Sequence, residues 1–321
     1  MLRLIALLIG LMLFPATASA TKLGWAPWPD TVNTVYVNVP TTGLDMVGDV
    51  TKDYVLVMPS TPVSPKPGAG CIRLDNAHMV KIIGGECLIP PQPFVYNSKT
   101  RRCLGFNNVT WWVHVEGFWC HGDVLDYAEY SGSNAAVTYE NDRVEGVSAR
   151  DEINFTDGHP DGVYVFGGAV PGARSVRIDR MTIETDYQAM FFAHWLTGAA
   201  AGQNYPITIK NSNLRGTPIP GTHLAQLLWR ADALNPMSLT AVYLQPQMLG
   251  NGTQEPLIKA VKPSDVDPVV ANRAYYNIDG SVAWPTAAHI TGRVIGGLPP
   301  GGDFVPVGIA GTNYISPGYT Y

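Results

Sequence analysis

The chain has few charged residues, few cysteines and few long apolar runs. Charged residues make up 15% of its 321 residues, and its four cysteines form no Cys-x-x-Cys pair. The lack of that motif argues against a zinc site. The net charge of −5 argues against a nucleic-acid partner and against binding to anionic membranes. We predict no metal site and no cofactor, and Ca²⁺ has no motif in its favour.

One long apolar run stands at the start of the sequence. Leu4 to Phe14 follow Arg3 and lead to Pro15 and the small residues Ala18-Ser19-Ala20. Because this run is shorter than the roughly 20 residues that a membrane span needs, it indicates a secretory signal cleaved after Ala20. We expect a secreted or periplasmic protein that has no membrane span after signal removal.

Helical spacing of apolar residues is scarce, and turn-forming residues are abundant. The 33 glycines and 26 prolines stand among many Val, Ile, Thr and Tyr. This composition is typical of short strands joined by many turns. The sequence therefore predicts an all-β protein.

An internal repeat organises the middle of the chain. MVKIIGGEC from Met79 matches WVHVEGFWC from Trp112 without gaps, at a spacing of 33 residues. The looser pattern of two alternating apolar residues and a turn residue recurs from Val137, Val176 and Ile207, with a frayed sixth copy at Leu239. A second short apolar segment precedes each copy, so every repeat carries at least two strands.

Repeats of this size without helices favour coils that stack into one continuous core. We predict a single-stranded right-handed parallel β-helix of about six coils. A β-propeller is the alternative, but its blades need about 40 to 45 residues each. The expected organisation is a signal peptide over 1–20, an N-terminal cap over 21–60, the β-helix over 61–245, and an irregular C-terminal excursion and cap over 246–321.

The cysteines occupy equivalent positions in neighbouring repeats. Stacked residues of parallel strands lie about 4.8 Å apart, which falls within the Cα separation of disulfides. We therefore predict the pairs Cys71–Cys103 and Cys87–Cys120, with four reduced, stacked cysteines as the alternative. A Cys71–Cys87 link would argue against this register.

The repeats resemble the right-handed parallel β-helix, pectate-lyase-like superfamily over roughly residues 50 to 245. His159-Pro160-Asp161-Gly162-Val163 is similar to a His-x-Asp-Gly-Ile-Gln stretch of exported bacterial β-helix proteins, with Tyr164 in place of Gln. The resemblance implies a polysaccharide lyase, hydrolase, esterase or epimerase. The Asp-Asp pair of polygalacturonases and the Trp-Ile-Asp-His run of pectate lyases are missing from this sequence.

The segment TDGHPDGVYVF, residues 156–166, carries the candidate catalytic residues. If Val163 stacks on Met190, then Asp161 stacks on Gln188 and His159 on Asp186. A carboxylate beside an imidazole orients it for general acid or base catalysis. We predict His159, Asp161, Tyr164 and Asp186 as catalytic. The alternative is a turn in which the two aspartates bond their own backbone.

Further residues are candidates for substrate binding. Gln188, His194 and His223 lie on or near later strands of the same face, and Arg101 and Arg102 form a basic group ahead of a strand. Asp123 and Asp126 are candidate second carboxylates beside Asp161, as glycoside hydrolysis requires.

Two functions stay open at this point. The first is an exported enzyme acting on an acidic polysaccharide, as a lyase ahead of a glycoside hydrolase. The second is a non-catalytic, adhesin-like β-helix that binds glycan. The sequence does not decide between them, and it does not give the oligomeric state.

Overall fold

The architecture comes from a computed structural model. It describes residues 22–66, 69–91, 101–131, 135–147, 161–167, 175–194, 205–217, 228–230, 236–245, 256–260, 273–276, 282–283 and 290–320. The signal-like segment over 1–20 lies outside these residues.

The described residues form strands and turns without a helix, and none of them belongs to a helix long and apolar enough to cross a membrane. The strands are β1 (Thr34–Asn38), β2 (Leu44–Val47), β3 (Asp53–Val57), β4 (Ile72–Ile83), β5 (Glu86–Ile89), β6 (Arg102–Glu116), β7 (Trp119–Gly122), β8 (Asp126–Ser131), β9 (Ala136–Val147), β10 (Asp161–Gly167), β11 (Ser175–Thr185), β12 (Gln188–His194), β13 (Ile207–Gly216), β14 (Leu228–Arg230), β15 (Met237–Gln245), β16 (Pro256–Ala260), β17 (Arg273–Tyr276), β18 (Val282–Ala283) and β19 (Ile290–Gly296).

The strands pair in parallel along three ladders. The first ladder joins β2, β4, β6, β8, β10, β12, β14 and β16. The second joins β1, β3, β4, β6, β9, β11, β13, β15 and β19. The third begins with β5 and β7 and continues through the second halves of β9, β11, β13, β15 and β19. Only β16, β17 and β18 pair antiparallel among the described strands.

One interior column confirms the stacking of repeats. Val80 pairs with Val113, Val113 with Val137, Val137 with Val176, and Val176 with Ile207. All five side chains are buried. Repeats about 32 residues apart therefore share one core, in an all-β, parallel arrangement that is compatible with a parallel β-helix.

The long strands bend at residues with left-handed backbone conformation. The turn position between the second and third ladders has a φ of 70° at Gly84, 68° at Gly117, 61° at Asn141, 55° at Arg180 and 45° at Asn211. Gly and Asn accept this conformation most readily. Arg180, the exception to that residue preference, adopts the same bend and donates a hydrogen bond to the carbonyl of Lys22.

The sixth repeat begins at Met237, and the predicted start at Leu239 is wrong. Met237 pairs with Ile207, which places Leu239 beside Ile209. The bend then falls on Ala241, with a φ of 52°. The pattern looks frayed because an alanine occupies the turn position.

All four cysteines form disulfides, but the predicted pairing is wrong. The bonds are Cys71–Cys87 and Cys103–Cys120, with Cα separations of 6.1 and 6.2 Å. The register nevertheless holds, because Cys87 pairs with Cys120 in the parallel ladder. Each disulfide crosses the core within one repeat, since stacked side chains in parallel strands point alongside one another and not at one another. A Cys71–Cys87 link is therefore compatible with the register.

The last described residues add a strand and then run along the ladders. After β19, the segment 297–320 returns across the bends towards the first repeats. Gly311 N donates to Gly117 O at 2.9 Å, and Thr320 N donates to Leu23 O at 2.9 Å. The terminal segments 22–30 and 297–320 thus meet on one side of the stack. The sequence pattern does not predict this path.

Candidate functional site

The register predicted for the candidate catalytic strand is confirmed. Val163 in β10 pairs with Met190 in β12, and Asp161 pairs with Gln188. Asp126 in β8 occupies the preceding rung, because Val163 also pairs with Ala128. His159 lies outside the described residues, so its predicted contact with Asp186 stays a prediction.

A guanidinium joins two carboxylates at the start of these strands. Arg102 Nη2 lies 2.8 Å from Asp126 Oδ2, and Arg102 Nε donates to the same oxygen at 3.1 Å. Arg102 Nη2 also forms an ion pair with Glu129. We call Arg102, Asp126, Glu129, Asp161 and Tyr164 the arginine cluster.

Asp161 has a different environment from the two carboxylates bound to Arg102. Its side chain is buried, its backbone amide donates to Asp126 Oδ1 at 3.1 Å, and its own Oδ1 has no hydrogen-bond partner. Burial raises the pKa of Asp161 well above its usual value, and the charges of Asp126 and Glu129 raise it further. The site therefore holds a buried carboxyl whose protonated form is favoured, beside two carboxylates paired with a guanidinium, the division of roles that general acid catalysis uses.

Tyr164 extends the arginine cluster on the outer side of β10. It is half-buried and stacks on Phe191 with ring centroids 5.1 Å apart. Burial raises the pKa of Tyr164, and the neighbouring carboxyl groups add to this effect. The hydroxyl is consequently held in its neutral form, able to donate a hydrogen bond.

The other predicted binding residues are only partly brought together. Gln188 is buried on the rung next to Asp161, and neither its Nε2 nor its Oε1 has a hydrogen-bond partner. Arg101 is buried and bonded to Asp123, with Nη2 3.0 Å from Oδ1, so it does not belong to an exposed basic group. His194 pairs with Gly167 at the end of β12.

Asp186 and His223 complete the predicted set. Asp186 is buried in the connection before β12, and its backbone amide donates to Val147 O at 3.1 Å. His223 lies outside the described residues.

A second group of ionisable residues lies on the second ladder, outside the set of residues predicted from the sequence. His114 Nε2 lies 3.3 Å from Glu116 Oε2, and suitable ligand atoms of His114, Glu116 and Glu140 all lie within 4.8 Å of one another. Tyr314 and Tyr319 donate to the two oxygens of Glu116 at 2.8 and 2.5 Å. We call these five residues the covered cluster, because the terminal segments cover it.

Glu140 is the most strongly perturbed member of the covered cluster. Its Oε1 accepts hydrogen bonds from the backbone amides of Gly24 and Trp25 at 3.0 and 3.1 Å, whereas its Oε2 has no partner. Burial, helped by the charges of Asp179 and Glu116, raises the pKa of Glu140 to about 8. The carboxyl is therefore largely protonated near neutral pH.

His114 is neutral for the same physical reason. Burial lowers the pKa of its imidazole, although Glu116 opposes this shift. Its Nδ1 has no hydrogen-bond partner. A neutral, buried imidazole with an unpaired nitrogen is able to accept a proton or to ligate a cation.

The repeat alignment contained a signal for this cluster. Glu116, Glu140 and Asp179 each stand one residue before the turn position, and they pair rung by rung. Three acids at one repeat position stack because the strands are parallel and in register. The signal was missed because only apolar and turn positions were compared.

Comparison of the chain with protein-family models, with curated proteins and with solved structures gave no match. Its function therefore has to be argued from the chain's own geometry.

Proposed function

We propose that this chain is an exported carbohydrate-active protein that hydrolyses glycosidic bonds at the arginine cluster. The proposal includes the finer fold assignment, a right-handed parallel β-helix of about six coils related to the pectate-lyase-like superfamily. It is carried by one observation: the buried carboxyl of Asp161, whose pKa is raised by burial, stands on the rung next to Asp126, which Arg102 binds together with Glu129. Glycosidases use such a pair, one protonated and one ionised.

Asp161 is the proposed general acid, which protonates the leaving oxygen of the glycosidic bond. Glu129 is the proposed second carboxylate, because its side chain is 22% exposed whereas that of Asp126 is 5% exposed. Asp126 positions Arg102 and the backbone of Asp161. Tyr164, beside Glu129 in the ladder, is placed to hydrogen-bond the substrate.

Electrostatics favours hydrolysis over a lyase reaction on an acidic polysaccharide. A lyase needs a cation to neutralise the substrate's uronate group. Arg102 already pairs with Asp126 and Glu129, and Arg101 pairs with Asp123. The arginine cluster is net negative when Asp161 is neutral, which suits an uncharged glycan better than a uronate.

Export is the remaining part of the proposal. The apolar run from Leu4 to Phe14 supports it, and the two disulfides fit an oxidising compartment such as the periplasm or the exterior.

The test is an activity screen of the purified protein on neutral and acidic polysaccharides. We expect new reducing ends without the absorbance of unsaturated sugar ends. Asp161→Asn and Glu129→Gln should each lower the rate at least about 100-fold, because each removes a proton-transfer or nucleophilic group. Asp45→Asn, an exposed carboxylate on the first ladder, is the matched control and should keep full activity.

Two results would contradict this proposal. Unsaturated ends would show a lyase, and unchanged rates in Asp161→Asn and Glu129→Gln would remove the arginine cluster from catalysis.

A second candidate function, glycan binding without turnover, is favoured by an exposed aromatic surface. Trp28 is 42% exposed and Trp111 37% exposed, with ring centroids 6.1 Å apart. His78 stacks on Trp111 at 6.0 Å and is bonded through Nδ1 to Asp53. Aromatic faces next to polar groups suit the apolar face of a pyranose ring.

This candidate predicts saturable binding on a glycan array without product formation. Trp111→Ala should abolish the binding, whereas Leu88→Ala, another exposed apolar residue away from this surface, should leave it unchanged. Product formation by the wild-type chain would reject it as the whole function.

A further inference from the structure

The covered cluster has the composition and the packing of a metal site. His114 and Glu116 are fully or almost fully buried in β6, and Glu140 is fully buried on the next rung in β9. Parallel pairing places Glu116 directly beside Glu140, and alternation along β6 puts His114 on the same face as Glu116. The backbone therefore fixes all three side chains on one surface.

One unpaired atom points to an occupant. Glu140 Oε2 is buried and has no hydrogen-bond partner. A buried polar atom without a partner costs free energy, so this carboxylate oxygen is under-satisfied in the chain alone. In the part of the chain that the structure describes, the donors to Glu116 and Glu140 are hydroxyl groups, backbone amides and the imidazole, with no ammonium or guanidinium among them.

From this geometry we infer that His114, Glu116 and Glu140 form a binding site for one divalent transition-metal ion, best suited to Zn²⁺. Imidazole and carboxylate ligands together favour Zn²⁺ over Ca²⁺, which prefers six to eight oxygens. The site does not depend on the proposed glycosidase function.

The distances agree with this ligand set. Ligand atoms on a tetrahedral zinc ion lie roughly 3.4 Å apart, given bonds of about 2.0 to 2.2 Å. His114 Nε2 and Glu116 Oε2 are already 3.3 Å apart. Glu140 completes the set, because its ligand atom lies within 4.8 Å of the other two.

The surrounding residues supply the outer shell that metal ligands need. Tyr314 and Tyr319 orient Glu116, and the amides of Gly24 and Trp25 orient Glu140. Outer-shell donors of this kind hold ligating carboxylates in place. Three protein ligands leave a fourth position open on a tetrahedral ion.

The experiment is metal titration of the purified chain after dialysis against chelator. Calorimetry with Zn²⁺ should show one saturable equivalent, and Ca²⁺ should show none. Glu140→Gln and His114→Gln should each weaken Zn²⁺ binding at least about tenfold, since the loss of an outer-shell group alone costs 10- to 100-fold. His121→Gln is the matched control: His121 pairs with Glu86 but belongs to no group of three close ligand atoms among the described residues, so the stoichiometric site should be unchanged.

The crystal structure of the wild-type chain grown with Zn²⁺ tests the site without any variant. Anomalous density between His114, Glu116 and Glu140 would support the site even if a variant fails to fold. The proposed site would be overturned by anomalous density found only at other positions or by the lack of one saturable equivalent of Zn²⁺. It would also be overturned by equal Zn²⁺ affinity in Glu140→Gln, His114→Gln and His121→Gln. Activity on polysaccharides is measured separately, so failure of the metal site and failure of the glycosidase proposal are distinguishable.

Discussion

The arginine cluster and the covered cluster stabilise stacked acidic side chains in different ways. On the first ladder, Asp126 and Glu129 are held by the guanidinium of Arg102, while burial raises the pKa of Asp161. On the second ladder, Glu116 is held by two tyrosine hydroxyls and Glu140 by backbone amides. The first cluster uses charge supplied by its own strands, and the second uses donors from both ends of the chain.

This difference follows from parallel stacking. Register places equal positions of successive repeats about 4.8 Å apart, so acids at one repeat position repel one another. A cation from the same ladder offsets that repulsion locally. Where none is present, donors must come from elsewhere, and the terminal segments supply them. The second cluster therefore ties the ends of the chain to its middle.

The largest effect is expected from removing the cation of the first cluster. Arg102→Met leaves Asp126 and Glu129 without their guanidinium beside the buried Asp161, and loss of one partner of a buried ion pair costs about 3 kcal/mol or more. The midpoint of urea unfolding measures this change. Arg73→Met, at an exposed ion pair on the same ladder, is the control and should cost less than about 1 kcal/mol. Equal costs would show that the arginine cluster is not a buried ionic unit.

A smaller effect is expected when the second cluster loses a hydroxyl. Tyr314→Phe removes the hydrogen bond to Glu116 and should lower the free energy of unfolding by about 1.5 kcal/mol, as for bonds to charged groups. Limited proteolysis should also cut the segment 297–320 faster. Tyr36→Phe, whose hydroxyl binds the exposed Asp30, is the control and should change neither measurement. Unchanged proteolysis in Tyr314→Phe would mean that Glu116 does not anchor the terminal segment.

A still smaller effect is expected at the outer end of that segment. Asp303 lies 3.0 Å from Arg143 Nη1 and 3.1 Å from Arg215 Nη1. Asp303→Asn keeps the shape and removes the charge, while Arg143 keeps Glu145 and the carbonyl of Val305 as partners, so the change should cost about 1 kcal/mol, and less in high salt. A loss above about 2 kcal/mol, unaffected by salt, would show that shape and not charge fixes this contact.

The smallest effect is expected for Asp161→Asn. It should appear as a pH dependence of the difference in unfolding free energy between wild type and variant, beginning near pH 4. The pKa of Asp161 is raised in the folded chain above its usual 3.8, so the folded state keeps a proton that the unfolded state releases. Wild-type stability should therefore fall, relative to Asp161→Asn, as the pH rises from about 4, and the difference should level off above the raised pKa. Urea midpoints at several pH values measure it. Parallel pH profiles would mean that Asp161 is ionised in the fold.

The rung pairing of the candidate site was predictable, whereas its chemistry was not. The alternation of apolar residues and the repeat length predicted that Asp161 lies beside Gln188 and Val163 beside Met190. In parallel strands, equivalent residues of successive repeats stack on one another. The salt bridges of Arg102 were not predictable, since side-chain direction at a strand's first residue depends on the bend before it. The predicted disulfide pairing was wrong for a related reason: the spacing of the cysteines shows which ones are equivalent in the repeats, but not which ones face each other across the core.

By itself, the sequence determined the all-β class, the repeat of about 32 residues, the left-handed turn position and the interior column through Val80 and Val113. These are periodic properties, because each repeat contains the same pattern of apolar and turn residues. Only the tertiary structure decided that residues 297–320 return along the ladders to Glu116, and that Asp161 is buried, with a raised pKa, beside Asp126. Such contacts join unique residues far apart in the chain, so no local pattern encodes them.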